Sequence, residues 1–385
     1  MKLERPPSIN VEQRQARLER LRGLMQEQDV SAVVIGATTN LRYLTGIAWH
    51  PSERFTGVVV TAKGLTYICP GFERDKVRSI TTIPGEVRVW QEDESPYAVI
   101  ADATVGGKVA LDDQMPLFTY LGLRRAMGDD RLVDGGPLLN RLRRIKAPEE
   151  IALMQHAKTV TLEVHRRARD MLRPGVLVSE VIRFIDQNHR KFGSDHGNTF
   201  CLVSFAEDTT LPHGGEGERA LKEGDVVLID TGCSFDGYNS DITRTYVHGE
   251  PTKRQRDIWN LEKEAQAAAF AGAELGKPCE SADWAARGVL QKAGLGPDYR
   301  LPGLPHRTGH GIGLDVHEAP NLVRGDKTPL AAGMCFSNEP MIVLPGEFGV
   351  RLEDHFYMTE KGPRWFTEPS HSIDEPFKGI AAIAD

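Results

Sequence analysis

The most constraining feature of the chain is a pair of acidic residues set into strand-forming runs on either side of a tight turn. VVLID ends on Asp230, DITRTYV opens on Asp241, and Asp236-Gly237 lies between them. Asp-Gly between two such runs marks a two-residue hairpin loop, because both loop positions need positive φ. With that loop Asp230 faces Thr243. Asp241 then lies diagonally from Asp230 on the same sheet face, where such neighbours are about 7–8 Å apart. An ionised carboxylate on a buried strand face is costly unless a counter-charge or a cation offsets it. The plainer reading of this pair alone is two exposed aspartates at strand ends.

A second instance strengthens the cluster reading. Glu339 in FSNEPMIV and Glu353 in VRLEDHF flank Pro345-Gly346. A loop of odd length centred on Gly346 sets the two glutamates opposite each other. Arg351 shares the strand face of Glu353 by the period of two, with a surface ion pair as its plainer reading. TGHGIGLDVHEAP places His310 between glycines and His317 seven residues on, in a segment too Gly-rich for a stable helix. Glycine there lets backbone approach a crowded site. A lone histidine is more often a packing residue, but four acids in the same part of the chain make His310 a fifth candidate ligand. Oxygen-rich ligation with one imidazole suits Mn²⁺ first, with Co²⁺, Fe²⁺ or Zn²⁺ as alternatives. Four carboxylates balance two divalent cations, which favours two metals over one.

Composition closes off other classes. A chain of 385 residues is long enough for two or three domains, and 47 Lys plus Arg against 54 Asp plus Glu leaves a net charge of −7, no footprint for nucleic acid. The N-terminal run is charged and Pro-containing, and nowhere do 18 apolar residues run together, so the expectation is a soluble, cytoplasmic protein without a membrane partner. The five cysteines are scattered without a C-x-x-C pair, which predicts buried thiols rather than disulfides or a zinc cage.

The first third reads as an α/β domain with a mixed sheet: a helix near 11–29, then strands in SAVVIG, TGVVVTA and KVALDD. Pro148-Glu149-Glu150 starts a helix, with the domain boundary near Lys146. Ile151, Met154, Ala157, Leu162 and Val164 predict its packing stripe, with Lys158, Arg166 and Arg169 among them. The rest reads as α+β, with helices near 178–192 and 254–275 and strands near 199–205, 224–232, 240–247, 333–343 and 349–358. Gly215-x-Gly217-x-x-Ala220 fits a loose dinucleotide fingerprint but has no strand leading into a helix around it. Neither G-x-S-x-G nor H-E-x-x-H occurs.

Taken in order, IDTGCSFDGYNSDITRT, PHRTGHGIGLDVHEAP, SNEP and GVRLEDH resemble the motifs of the pita-bread metallopeptidases. The branch is that of Xaa-Pro dipeptidase (prolidase), aminopeptidase P and creatinase. The resemblance covers about the whole chain and implies a creatinase-like N-terminal domain over 1–145 and a pita-bread catalytic domain over 146–385. It implies that Asp230 binds one metal, that His310 and Glu339 bind the other, and that Asp241 and Glu353 bridge the two. A metal-bridging water or hydroxide would attack the peptide carbonyl, with Glu339, or the cluster acting with it, accepting the proton. His213 in LPHGG and His317 match histidines that hold substrate and stabilise the oxyanion. Arg351 matches an arginine set against the metal-site carboxylates or the substrate carboxylate. A loop histidine is the plainer reading of His213.

One departure stands out. Family members often read E-P-G-x-Y where this chain reads Glu339-Pro340-Met341-Ile342-Val343, so a tyrosine hydroxyl is replaced by Val343. The implied activity is hydrolysis of Xaa-Pro dipeptides, with aminopeptidase P action on Xaa-Pro-Yaa peptides as the alternative. Creatinase, a lyase and a non-catalytic binding module on the same fold rank behind, because the five ligands are retained. A full N-terminal domain argues against methionine aminopeptidase. The resemblance also implies a homodimer, in which His50 and WHPSERF would border the partner's cleft; a surface loop is the plainer reading of that segment.

Overall fold

Alternating apolar runs build the first unit, Ile9–Arg143, of the computed structural model, which describes residues 3–104 and 106–383. Its strands Val30–Ile35, Gly57–Thr61, Gly64–Pro70, Glu86–Trp90, Lys108–Leu111 and Leu132–Asp134 join one sheet. Val30–Ile35 runs antiparallel to Gly57–Thr61 and parallel to Lys108–Leu111, so the sheet is mixed. Ala32, Val34, Val59, Ile68 and Val109 meet Ile100 and Leu123 of the covering helices in its core. The helix Val11–Glu27 opens on a capping box in which Asn10 and Gln13 each accept the other's backbone N–H. His50 is exposed, in a segment of neither helix nor strand.

The second unit runs from Arg144 onward and takes in residues 3–8. Its helix Pro148–Met171 starts at the Pro-Glu-Glu signal, where Glu150 accepts the Ala147 N–H at 2.8 Å. Met154, Ala157, Leu162 and Val164 are buried as the stripe predicts, and so is Lys158, at 0% exposure. Lys158 reaches inward to donate to Asn239 O at 3.1 Å and lies 4.7 Å from the centroid of the Phe366 ring. Strands Asn198–Phe205, Val226–Phe235 and Ile242–Val247 form one antiparallel sheet. Gly309–Gly311, Glu318–Leu322, Cys335–Asn338, Asp354–Thr359 and Gly362–Trp365 form another. Helices Lys253–Gly272 and Glu280–Lys292 pack on an apolar cluster that includes Trp259, Ala265, Ala282, Leu290, Phe336 and Phe356.

Two expected strands prove broken. The runs 333–343 and 349–358 each divide between the larger sheet and a separate hairpin, Met341–Leu344 with Phe348–Arg351. Pro340 has no N–H for a ladder, and the Glu339 N–H goes to Thr308 O at 2.8 Å instead of to a paired strand. The helix Glu280–Lys292 had no strong signal, since small Ala282 and Ala286 supply much of its buried face. Among the described residues no helix is long and apolar enough to cross a membrane. The cysteines are free thiols, four buried and Cys201 half-buried.

Candidate metal centre

The first acid-bearing hairpin forms because Asp236 and Gly237 adopt φ of 50° and 79°, the left-handed conformations a two-residue turn between right-twisted strands requires. Asp195 holds the turn by accepting from both N–H groups, at 3.1 and 2.7 Å. The resulting register sets Thr243 opposite Asp230. Ser240 and Asp241 fall just before the returning strand, and Gly232 lets that chain pass close: a Cβ on Gly232 would lie 1.9 Å from Ser240 O.

The second hairpin turns through Pro345-Gly346-Glu347, pairing Leu344 with Phe348 and Met341 with Arg351. Beyond the break the same alignment resumes with Asn338 opposite Asp354. Glu339 and Glu353 thus face one another in the gap between the two ladders. His310 enters on the short strand Gly309–Gly311, wedged between two neighbours. A Cβ on Gly309 would sit 2.2 Å from Ser337 O, so glycine allows this approach. Ser337 Oγ accepts the His310 N–H at 2.9 Å and donates to Glu339 Oε1 at 3.3 Å.

These side chains converge. His310 Nε2 stands 3.1 Å from Glu339 Oε1 and 3.6 Å from Asp241 Oδ2, while its Nδ1 faces Gly311 O at 3.0 Å. Arg351 donates to Asp230 Oδ2 at 2.6 Å, to Thr243 Oγ1 at 3.1 Å and to Pro212 O at 3.1 Å. Thr243 in turn donates to Glu353 Oε2 at 2.8 Å. Asp230, Asp241, Glu339, Glu353 and Arg351 line one cavity of about 560 Å³, together with His213 and His317. The His317 ring lies 4.1 Å from that of His310, centroid to centroid.

Burial pushes the Asp241 carboxyl well above its usual range, and the charges of Asp230 and Glu339 push it further. Glu353 is raised in the same way, first by burial and then by Asp241 and Glu339. Burial also raises Asp230, against the pull of Arg351. Glu339 goes the other way: burial alone would raise it, but His310, His306 and Arg351 bring it down to about 2. The cluster therefore holds more carboxylate than its own cations neutralise. Asp230 Oδ1, Asp241 Oδ1, Glu353 Oε1 and His310 Nε2 are buried without a hydrogen-bond partner among the described residues. Asp241, His310 and His317, and likewise His310, Glu339 and Glu353, each offer ligand atoms within 4.8 Å of one another. Unpaired carboxylate oxygens around an imidazole nitrogen fit hard or borderline divalent cations.

Every residue expected at the site reaches this cavity except His310, which is buried against its carboxylates. Val343 does not line it; it is 3% exposed within the apolar cluster, with its backbone tied to Gly303. His306 and Arg307 also line the cavity, although the pattern did not single them out. Their signal was membership of the run PHRTGHG, four and three residues before His310. Thr199, Phe200, Cys201 and Leu202 form another wall that nothing in their strand-like sequence marked.

Residues 152–360 match metallopeptidase family M24, and residues 17–145 match the creatinase/prolidase N-terminal domain. The chain is 32% identical over 366 residues to the Xaa-Pro dipeptidase of Lactobacillus helveticus, covering 92% of this chain and 98% of the relative. Its structure is similar to that of dipeptidase PepE from Mycobacterium ulcerans, with a TM-score of 0.87, 32% identity and coverage of 95% and 98% of the two chains. It is also similar to that of the prolidase from Thermococcus sibiricus, with a TM-score of 0.84, 30% identity and coverage of 94% and 98%. The chain thus belongs to metallopeptidase family M24: it is a peptidase whose α+β pita-bread fold follows a creatinase-like N-terminal domain.

Proposed function

We propose that this protein is a dinuclear metallopeptidase hydrolysing the Xaa-Pro bond of dipeptides. The observation that carries this reading is the convergence of Asp230, Asp241, Glu339 and Glu353 at one cavity, with His310 buried against Asp241 and Glu339. The dipeptidase form draws its support from the names of the relatives, Xaa-Pro dipeptidase and prolidase among them. A cavity of about 560 Å³ is of a size for a small peptide.

In this reading Asp230 would hold one cation, His310 and Glu339 would hold the other, and Asp241 and Glu353 would serve both. Bound there, two divalent cations supply a water of lowered pKa and an electrophilic contact for the scissile carbonyl. Glu339 would accept the proton, its carboxylate standing in the cavity 3.1 Å from His310 Nε2. His213 and His317 hold the substrate and donate to the oxyanion as the carbonyl becomes tetrahedral. Arg351 is committed to Asp230, Thr243 and Pro212 O, and so fixes the orientation of the Asp230 carboxylate. A ligand set richer in oxygen than nitrogen supports Mn²⁺ as the native ion. Domains 1–145 and 146–385, a homodimer and a cytoplasmic location belong to the same proposal.

The test is hydrolysis of matched Xaa-Pro dipeptides and Xaa-Pro-Yaa tripeptides by Mn²⁺-loaded protein, with Xaa-Ala controls. Cleavage of the dipeptide alone is expected. Preference for the tripeptide would replace the dipeptidase reading with aminopeptidase P, and failure on both would overturn the peptidase substrate class proposed here.

A further inference from the structure

His355 lies outside the five-residue ligand set and does not line the cavity, yet it is fully buried, and neither ring nitrogen has a hydrogen-bond partner among the described residues. A neutral imidazole always carries one N–H donor and one acceptor nitrogen. Leaving such groups unpaired in a protein interior is destabilising. The residue therefore stands out as a buried polar group without a structural role.

Its orientation points to one. His355 is the second residue of the strand Asp354–Thr359, so strand alternation sends it to the face opposite that of Asp354. Asp354 indeed meets Arg244 at 2.7 Å and Gln266 at 3.1 Å on that opposite side. Across the ladder His355 is paired with Ser337, whose hydroxyl contacts His310 N and Glu339 Oε1. Cross-strand partners share a sheet face, so His355 is aimed at the same cluster from within the protein. His355 Nε2 stands 4.0 Å from Glu353 Oε1, itself buried and unpartnered. Asp241, Glu353 and His355 each offer a ligand atom within 4.8 Å of the other two, and Asp241 Oδ1 is also unpartnered.

We propose that His355 is a further ligand of the metal centre, adding a second imidazole to the buried side of Asp241 and Glu353. The inference rests on the metal-centre reading above and deepens it: the ligand set of this chain has six side chains, two of them histidines. A mixed centre of four carboxylates and two imidazoles is a better host for borderline ions such as Co²⁺ or Zn²⁺ than one with a single nitrogen.

The test uses the full chain loaded with Co²⁺ and proton NMR, in which each coordinated imidazole shows one paramagnetically shifted, solvent-exchangeable N–H signal. Two such signals are expected in the wild type, with one lost in His355→Phe and the other in His310→Gln. Mn²⁺ affinity, followed by calorimetry, is expected to fall roughly tenfold or more in His355→Phe, and less in His355→Gln, which keeps a donor atom on a side chain of similar reach. A wild type that takes up Co²⁺ but shows only the signal lost in His310→Gln would overturn the role of His355 without touching the metal centre. A wild type that takes up no Co²⁺ and no Mn²⁺ would overturn the metal-centre reading itself. The wild-type signal count decides the question even if His355→Phe fails to fold.

Discussion

Thr243 and Glu353 join the two acid-bearing hairpins: the Thr243 hydroxyl donates to Glu353 Oε2 at 2.8 Å while accepting from Arg351 Nε at 3.1 Å. Thr243 also sits directly opposite Asp230 in its own ladder. One small hydroxyl thereby ties a residue of each hairpin to the arginine that orients Asp230.

Replacing Thr243 with the nearly isosteric valine removes that link and strands two buried polar atoms. Thr243→Val is expected to lose about 1–3 kcal/mol of stability. Urea unfolding of the metal-free protein measures it, and an unchanged midpoint would show that the hydroxyl contributes nothing.

Asp241 and Glu353 are the carboxylates proposed to serve both cations. Asp241→Ala and Glu353→Ala should each abolish hydrolysis and reduce bound metal to about one ion or none. Metal analysis after dialysis reads this out, and wild-type stoichiometry in either variant would remove that residue from the bridge.

Val343 lies in the apolar cluster with 3% exposure. Introducing the bulk of a tyrosine there overpacks a filled interior, so Val343→Tyr is expected to cost about 1–3 kcal/mol. Thermal unfolding tests this. The need for proline should persist in the variant, and a switch of substrate class would contradict the placement of Val343 outside the cavity.

His189 offers a pH prediction away from the site. Burial holds its imidazole neutral, with the pKa pushed down to about 4. The unfolded chain takes up this proton below about pH 6.5 and the folded chain does not, so the contribution of His189 is whole above about pH 6.5 and is lost as pH falls toward 4, by roughly 1.4 kcal/mol per pH unit. In His189→Gln the decline in unfolding free energy between pH 6.5 and 4.5 should be shallower by that amount. Parallel profiles for the two proteins would show that His189 is not the group concerned.

The parts of the site legible in sequence are those set by local backbone demands. Asp236-Gly237 dictates a two-residue loop through its positive φ values, and that fixes Asp230 opposite Thr243. Gly346 centres the second turn, and Gly309 marks a backbone approach. What stayed hidden depends on long-range packing. The burial of Lys158 is decided by Asn239 and Phe366, 81 residues away in one case. The break at Glu339 depends on its N–H going to the carbonyl of Thr308, 31 residues earlier in the chain and outside any strand. His355 stands two residues from Glu353 in sequence, but its isolation from hydrogen-bond partners among the described residues exists only once the sheet is assembled.

The central claim is that hydrolysis of the Xaa-Pro bond depends on metal held by the Asp230, Asp241, His310, Glu339 and Glu353 cluster. The most direct measurement is Xaa-Pro dipeptide hydrolysis by protein stripped with a chelator, verified metal-free by elemental analysis, before and after Mn²⁺ is returned. The account predicts no turnover in the stripped protein and its recovery with Mn²⁺. Full turnover in the verified metal-free protein would contradict it.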